Sequence, residues 1–225
     1  MESTICTNNI EILFEDNDIL VINKPVGALS EDSQKGEKGV ISLLLTENRK
    51  CLHLLHRLDR EVGGVMVFAK NKKSAAVLST AIANKELYKT YLAVTDGVPQ
   101  ADEGVYKDLL FKDSKKNRSF VVDRMRKGVR DASLEYVVLN KTEKNSLVRV
   151  LLHTGRTHQI RVQFSSRKTP LTGDGRYGSK VRDCNIALYS HKIVFNHPRT
   201  KERVEFVSNP DFSVYPWNLG SVDNA

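Results

Sequence analysis

Asp59 is the residue of this sequence whose surroundings most clearly suggest chemistry. It stands in the charged stretch His-Arg-Leu-Asp-Arg-Glu, residues 56–61, where an arginine lies close to it on either side. The pair Gly63-Gly64 and an apolar run rich in β-branched residues follow, and such a run predicts a buried strand. A reactive side chain needs rigid support, which a solvated loop does not. We therefore expect Asp59 to take part in a reaction; the alternative is a surface ion-pair cluster ahead of a strand.

Residues 153–161 form a second candidate cluster, with the sequence His-Thr-Gly-Arg-Thr-His-Gln-Ile-Arg. Its hydrogen-bond donors include Arg156, His158 and Gln159, and it contains no acidic residue. Apolar residues four positions apart predict a helix over 157–164. Donors at a helix N-terminus are suited to binding an anion. The alternative is the solvated beginning of a basic helix.

The hydrophobic pattern predicts the elements that would position these residues. Apolar runs bounded by turn residues predict two strands within 10–26, the strand after Asp59, and further strands at 87–94, within 105–139, and at 147–152, 186–189, 192–195 and 203–207. Helices are predicted over 40–48 and 75–83, the second with its cap at Asn71 or Ser74. The polar segment 30–39 is expected to be a loop. The simplest architecture is a single α+β domain over 1–225, with a core at about 10–210 and a mixed, mostly antiparallel central sheet flanked by helices and loops.

The composition is that of a soluble globular protein with a basic surface. Of its 225 residues, 40% are hydrophobic and 28% are charged, and the formal net charge is +8. Such a charge makes a polyanionic partner the first hypothesis, with an inert basic surface as the alternative. No apolar run reaches the length of a bilayer span, so no membrane association is expected.

Much of this positive charge lies between residues 112 and 130. The segment holds eight basic residues against Asp113 and Asp123, which gives it a net charge of +6. Such clustering fits a surface that follows a nucleic-acid backbone, because each neutralised phosphate releases counterions. We expect four of these side chains to contact that backbone: Lys115, Lys116, Arg124 and Arg126.

Other site chemistries fit the sequence less well. Cys6, Cys51 and Cys184 lie far apart without a Cys-x-x-Cys pair, which argues against zinc and disulfides and favours a reducing cytoplasm. No carboxylate stands at metal-ligand spacing from the six histidines, so no metal is expected. The sequence also lacks a Gly-x-Ser-x-Gly elbow, and no Gly-Lys-Ser/Thr follows its Gly-Asp-Gly loop.

Four motifs in order make the chain resemble the RluA family of RNA pseudouridine synthases. They are His-Arg-Leu-Asp-x-x-x-x-Gly at 56–64, Lys-x-Tyr-x-Ala at 89–93, Gly-Arg-x-His-Gln-Ile-Arg at 155–161, and Gly-Asp-x-x-Tyr-Gly at 173–178. The opening strand with its Asn-Lys-Pro and the closing His197-Pro198 agree, so the resemblance covers most of residues 12–207.

The sequence departs from the family pattern in two places. Val62-Gly63-Gly64 stands where the family usually has Thr-Ser-Gly, and Leu188-Tyr189-Ser190-His191 stands where it has Leu-His-Ala. Neither departure involves the residues that match the family's catalytic groups. Both put the details of the pocket wall and of the RNA contacts in doubt.

The resemblance implies isomerisation of uridine in transfer or ribosomal RNA, with no cofactor, after the base has left its stack. Asp59 matches the family's catalytic aspartate, and Arg161 matches the arginine that forms an ion pair with it. Tyr91 matches the tyrosine that stacks on the uracil and helps to move its C5 proton. Arg57 matches the arginine that fills the space left by the flipped base.

Further RNA or base contacts are expected from His56, Arg156, His158, Gln159 and Leu188. The resemblance also suggests a compact member without an N-terminal S4-type domain, because the first strand begins about ten residues into the chain. We expect a cytoplasmic monomer. A non-catalytic RNA-binding protein on the same scaffold is the alternative, and the sequence does not indicate which uridine is the target.

Overall fold

The computed structural model describes residues 10–47 and 49–219. The described residues form two compact units. The first unit comprises those of Met1–Lys89 together with Ser190–Pro210, and the second comprises those of Thr90–Tyr189 together with Asp211–Ala225. The single domain expected over 1–225 stays a prediction.

The first unit is a sheet with two helices. Its elements are β1 (Glu11–Glu15), β2 (Ile19–Lys24), α1 (Val40–Leu43), β3 (His53–Leu54), β4 (Gly63–Ala69), α2 (Lys72–Ala83), β10 (Leu188–Asn196) from Ser190 onward, and β11 (Arg203–Val207). The strand order is β1-β2-β4-β10, with β3 paired to β4 and β11 paired to β10. The β1–β2, β2–β4, β3–β4 and β10–β11 pairs are antiparallel. Apolar side chains of β2, β4, β10 and α2 pack together as the core of this unit.

Strand β4 is the most deeply buried strand of the first unit, with all seven residues inaccessible to solvent. Its second residue, Gly64, has φ +112°, and a Cβ there would lie 2.2 Å from the carbonyl oxygen of Ser190. Only glycine permits this approach of β4 to β10. The Ser190 hydroxyl also donates to the carbonyl of Val65 at 3.0 Å. Gly64, the last residue of the Val62-Gly63-Gly64 segment that departs from the family pattern, is therefore required by packing.

The second unit is built on a strand meander and one helix. Its elements are β5 (Tyr88–Asp96) from Thr90 onward, β6 (Glu103–Asp113), β7 (Arg118–Val122), β8 (Val129–Lys141), β9 (Asn145–Leu152) and α3 (Gln159–Ser166). The strand order is β5-β9-β8-β6-β7, which leaves β7 at an edge. The β6–β7, β6–β8 and β8–β9 pairs are antiparallel. Helix α3 buries six of its eight residues, and Phe164 packs edge-on against Tyr106 and Tyr136.

The α+β fold with a mostly antiparallel sheet is confirmed, and several element boundaries need correction. Of the helix predicted over 40–48, Val40–Leu43 form a single turn, and residue 48 lies outside the described residues. The strands predicted at 186–189 and 192–195 are one continuous strand, β10. Helix α3 begins at Gln159 rather than at 157, because His158 has a left-handed backbone with φ 53°. Asn71 caps α2 as predicted, accepting the Ser74 N–H at 2.9 Å. No helix among the described residues has the length and apolar character needed to cross a bilayer.

Candidate active site

Asp59 lies in a turn that leads directly into β4. The turn is closed by the N–H of Val62, which donates to the Asp59 carbonyl at 3.0 Å. On the other side, the Ser30 hydroxyl accepts from the N–H of Leu58 at 3.1 Å and donates to its carbonyl at 2.8 Å. Both peptide groups of Leu58 are thus bound by one buried side chain. The backbone that carries the Asp59 carboxylate is therefore fixed on both sides.

Lys24 is the buried centre of this support. Its ammonium donates to the carbonyls of Ala28 at 2.7 Å, Pro25 at 3.0 Å and Arg60 at 3.3 Å. The side chain is completely inaccessible, and burial lowers the pKa of Lys24 to about 7 although the charges of Asp59 and Glu61 oppose the shift. Lys24 therefore joins the end of β2 to the turn that carries Asp59.

Arg57 and Arg60, the arginines near Asp59, both bind acidic residues of the 30–39 loop. Arg57 forms an ion pair with Glu31, and Arg60 forms one with Glu37 at 2.8 Å. All four side chains are about half exposed. The loop therefore covers the two arginines with carboxylates, which are chemically comparable to the phosphates of a nucleic acid.

His56, which precedes the Asp59 turn, binds the backbone of β4. Its Nε2 accepts the N–H of Val67 at 3.3 Å. Burial, together with the nearby charge of Lys89, lowers the pKa of His56 to about 3, so the ring is neutral at physiological pH. A neutral imidazole bound to the strand is placed to hold β4, and contact of His56 with RNA stays a prediction.

In the second unit, Arg161 of α3 is bound by Asp174. The guanidinium donates from Nε to Oδ2 at 2.6 Å and from Nη2 to Oδ1 at 3.0 Å. The exposed fractions of the two side chains are 3% and 0%. The guanidinium carbon also lies 5.1 Å from the centre of the Tyr177 ring. The Gly-Asp-x-x-Tyr-Gly loop thus binds the arginine of the Gln-Ile-Arg motif through both of its characteristic side chains.

The residues before Arg161 form a connected polar network. The Tyr177 hydroxyl accepts the Ser119 N–H at 2.8 Å and lies 3.0 Å from Nδ1 of His158. Gln159 is buried, accepts from the Thr154 hydroxyl at 2.7 Å and donates to the Ser133 carbonyl at 3.1 Å. His158 and Gln159 therefore orient the start of α3. Arg156 is exposed, and its Nε donates to the Asp131 carbonyl at 2.9 Å.

One group of side chains in the described residues has the composition of a metal site, namely Asp16, Asp18 and His197. However, Nδ1 of His197 accepts the N–H of Thr200 at 3.2 Å, which places the imidazole proton on Nε2. That nitrogen faces the Asp16 carboxylate at 3.1 Å. A protonated nitrogen cannot ligate a metal, and these residues form a close polar cluster at the His197-Pro198 turn.

Comparison with known proteins agrees with this geometry. A family model described as RNA pseudouridylate synthase matches residues 18–166. An uncharacterised RNA pseudouridine synthase of Bacillus subtilis, YhcT, is 36% identical over 87% of this chain and 67% of its own length. The ribosomal large subunit pseudouridine synthase C of Buchnera aphidicola (strain Bp) is 32% identical over 93% of this chain and 69% of its own. The structure of human RNA pseudouridylate synthase domain containing 4 superposes with a TM-score of 0.76, at 26% identity over 90% of this chain and 89% of that one.

The chain belongs to the RNA pseudouridine synthase family. Its resemblance to the RluA group is confirmed by these relatives, and the protein is an isomerase acting on RNA.

Two of the synthase's predicted site residues are buried positions on strands. Tyr91 lies on β5 and Leu188 on β10, and each has an exposed fraction of 6%. Such burial fits residues that line the wall of a pocket as well as it fits a core position.

The four residues of the basic segment 112–130 that are expected to contact RNA are all exposed, and they fall into two groups. Lys115 and Lys116 lie in the turn between β6 and β7, where their N–H groups donate to the Asp113 carboxylate at 3.0 Å. Arg124 and Arg126 lie in the loop between β7 and β8, and Arg126 covers the Phe111 ring at 5.3 Å. The continuous basic segment of the sequence is therefore separated into two groups at opposite ends of β7.

Sequence reasoning missed the residues that hold the functional groups in place. Lys24 was interpreted only as part of a strand end, although a lysine directly before proline after an apolar run was a usable signal. Asp174 was noted as part of a motif without a role, and Ser30 was assigned only to a loop. Each acts through contacts with residues far away in sequence, which no local pattern reveals.

Proposed function

We propose that this synthase converts specific uridines of transfer or ribosomal RNA to pseudouridine, with Asp59 as the catalytic carboxylate. The observation that carries this proposal is the support of the Asp59 turn by Lys24 and Ser30, directly ahead of the buried strand β4. A carboxylate that must act on one atom of a flipped nucleotide needs such preorganisation.

The proposed reaction breaks the N1–C1′ bond of uridine and forms a C5–C1′ bond after the uracil has turned. The proton of C5 is lost and N1 gains one, so nothing is oxidised and no cofactor is needed. The nucleotide must first leave its stack, which costs a few kcal/mol that contacts with the protein offset. Asp59 acts on the sugar or the base once the nucleotide has been flipped.

The further catalytic roles follow from the motifs. Tyr91 stacks on the uracil and assists the transfer of the C5 proton. Arg161 supports the charged form of Asp59, and its own orientation is fixed by Asp174. Arg57 fills the place of the flipped base, for which a planar guanidinium is suited because it can stack between bases.

Contacts with the RNA outside the target nucleotide come from the basic side chains of the second unit. Lys115, Lys116, Arg124 and Arg126 are exposed and free to meet phosphates. Charge reversal at all four is expected to weaken RNA binding and to reduce its salt dependence. Unchanged affinity with an unchanged salt slope would contradict this role. The protein is proposed to act as a cytoplasmic monomer.

The Buchnera relative is named as a synthase of the large ribosomal subunit, which makes the RNA of that subunit the first substrate to test. Purified protein is incubated with bulk RNA from cells that lack pseudouridine synthases, and pseudouridine is detected by its carbodiimide adduct and mapped to its position. Wild-type protein is expected to modify discrete sites, and Asp59→Asn is expected to modify none while still binding RNA. The proposal fails if wild-type protein modifies no cellular RNA, or if Asp59→Asn retains full activity. The first result would favour a non-catalytic RNA-binding protein.

A further inference from the structure

Arginines of the second unit that lie over aromatic rings differ in what else they bind. Arg161 covers Tyr177 and binds Asp174, as described above. Arg167 covers Tyr106 at 3.9 Å and binds the Asp108 carboxylate at 2.9 and 3.2 Å. Stacking and a carboxylate together satisfy the charge of both guanidiniums.

Among the described residues, Arg118 shares with Arg126, which covers Phe111, a stacked guanidinium without a carboxylate, but Arg118 also has a buried Nε. Its guanidinium carbon lies 5.0 Å from the centre of the Tyr177 ring and 5.4 Å from that of Phe120. Within the described part of the chain, the guanidinium of Arg118 makes no hydrogen bond and no ion pair, and its buried Nε has no acceptor. A guanidinium held in place but left without an acceptor is prepared to bind an anion.

The support of Arg118 comes from the motif residues of the same unit. The next residue, Ser119, donates its N–H to the Tyr177 hydroxyl at 2.8 Å and its hydroxyl to the Thr157 carbonyl at 2.6 Å. The ring of Tyr177 also lies against the guanidiniums of both Arg118 and Arg161. An anion bound by Arg118 would be separated from Arg161 by one aromatic ring.

The neighbouring side chains add positive charge. Arg176 donates to the carbonyls of Asn117 at 3.1 Å and Lys116 at 3.3 Å, which places a second guanidinium beside the β6–β7 turn. The exposed Lys115 and Lys116 belong to the same turn. The carboxylate of this turn, that of Asp113, accepts the N–H groups of both lysines. With Arg176, Lys115 and Lys116 against the single carboxylate of Asp113, the side chains around Arg118 carry a net positive charge.

We propose that Arg118 binds a phosphate of the RNA backbone and so positions the strand that carries the target uridine beside Arg161. A bidentate guanidinium matches the geometry of a phosphate, and RNA as the occupant rests on the proposed function. Of the basic segment 112–130, the end that begins β7 is the one that contacts RNA beside Arg161. Arg124 and Arg126, at the other end of β7, meet the backbone further away.

The proposal is tested by binding of a fluorescein-labelled 16-nucleotide oligouridylate, measured by anisotropy over a series of KCl concentrations. Arg118→Gln is expected to weaken binding roughly three- to ten-fold at low salt and to reduce the salt slope by about 0.7, the value of one phosphate contact with a single strand. Arg118→Lys keeps the charge and is expected to keep the slope while binding less tightly. Arg203→Gln is the matched control, because Arg203 also covers a tyrosine, Tyr88 at 5.8 Å, in the first unit. It is expected to bind as wild type.

Wild-type affinity and slope for a folded Arg118→Gln variant would overturn the proposal, even if its activity were lost. If that variant does not fold, phenylglyoxal labelling of Arg118 in the wild-type protein replaces it. Oligouridylate is expected to slow that labelling by several-fold, and an unchanged labelling rate would overturn the proposal. The binding series can be repeated in an Asp59→Asn background, where no isomerisation is expected. A negative binding result for Arg118 would therefore not contradict the proposed role of Asp59. Conversely, an absence of pseudouridine formation would not contradict the binding result for Arg118.

Discussion

Arg161 and Asp174 form a buried ion pair in which both oxygens of the carboxylate receive a guanidinium N–H, at 2.6 and 3.0 Å. Removing an arginine from water costs several kcal/mol, and a bidentate carboxylate offsets that cost only in one geometry. Asp174 therefore fixes the orientation of Arg161. The Gly-Asp-x-x-Tyr-Gly loop acts as the support for the Gln-Ile-Arg helix.

Replacing Asp174 by asparagine should destabilise the protein and abolish pseudouridine formation. The substitution removes the charge of a buried carboxylate that binds a buried guanidinium through both of its oxygens, which costs roughly 3–5 kcal/mol of unfolding free energy. Urea denaturation measures the loss. Asp108→Asn is the matched control, because its partner Arg167 directly follows the same helix as its C-cap but is 32% exposed, so its loss should be about 1 kcal/mol. Equal losses for the two variants would contradict the distinct role of Asp174.

Lys24 predicts a stability that rises with pH above neutrality. Its pKa is lowered to about 7 in the folded protein, whereas an unfolded lysine titrates near 10.4. Between these values the unfolded chain binds more protons, so the folded state gains stability as the pH rises. Wild type should therefore gain roughly 2 kcal/mol relative to Lys24→Met between pH 7 and 9, measured by urea denaturation. Parallel pH profiles for the two proteins would show that Lys24 is charged throughout.

Much of this fold follows from local sequence pattern, but the support of the site does not. The run after Asp59 predicts a buried strand because its apolar residues are consecutive, and Asn71 was among the expected caps of α2 because its side chain can accept a helix N–H. The position of Lys24, directly before a proline after an apolar run, marks the residue but does not show that it is buried. Its burial depends on three carbonyls, one of them 36 positions away in sequence, converging on one ammonium.

The errors in the prediction have the same origin. The polar residues Ser190 and His191 separate the two strands predicted at 186–189 and 192–195, yet both lie buried within β10. Their polar atoms bind distant backbone carbonyls, those of Val65 and Ser208. In the same way, the basic segment is continuous in sequence, whereas five residues of extended strand separate its two groups by about 17 Å. Each of these features depends on contacts or distances in the folded chain, which a short stretch of sequence does not show.

His56 predicts acid sensitivity below pH 6.5. Its pKa is lowered to about 3 in the folded protein, so the unfolded chain alone takes up a proton as the pH falls from 6.5 towards 3. Stability is lost over that range. His56→Gln can still accept the Val67 N–H but does not titrate, so wild type should lose about 1–2 kcal/mol more than this variant between pH 7 and 5. Equal losses in guanidinium denaturation would show that His56 becomes protonated in the folded state.

The ion pair between Arg57 and Glu31 predicts that the 30–39 loop competes with RNA. In the role proposed for it, Arg57 would have to release the Glu31 carboxylate before its guanidinium could fill the space of a flipped base. Because an exposed pair of this kind contributes up to about 1 kcal/mol, Glu31→Gln should bind RNA up to about five-fold more tightly at low salt. Glu143→Gln removes the same charge from an exposed turn of the second unit and controls for net charge. The RNA affinity of each variant is measured by fluorescence anisotropy, with bulk ribosomal RNA as the competitor. If both variants bind equally tightly, the gain comes from net charge and the loop does not compete with RNA.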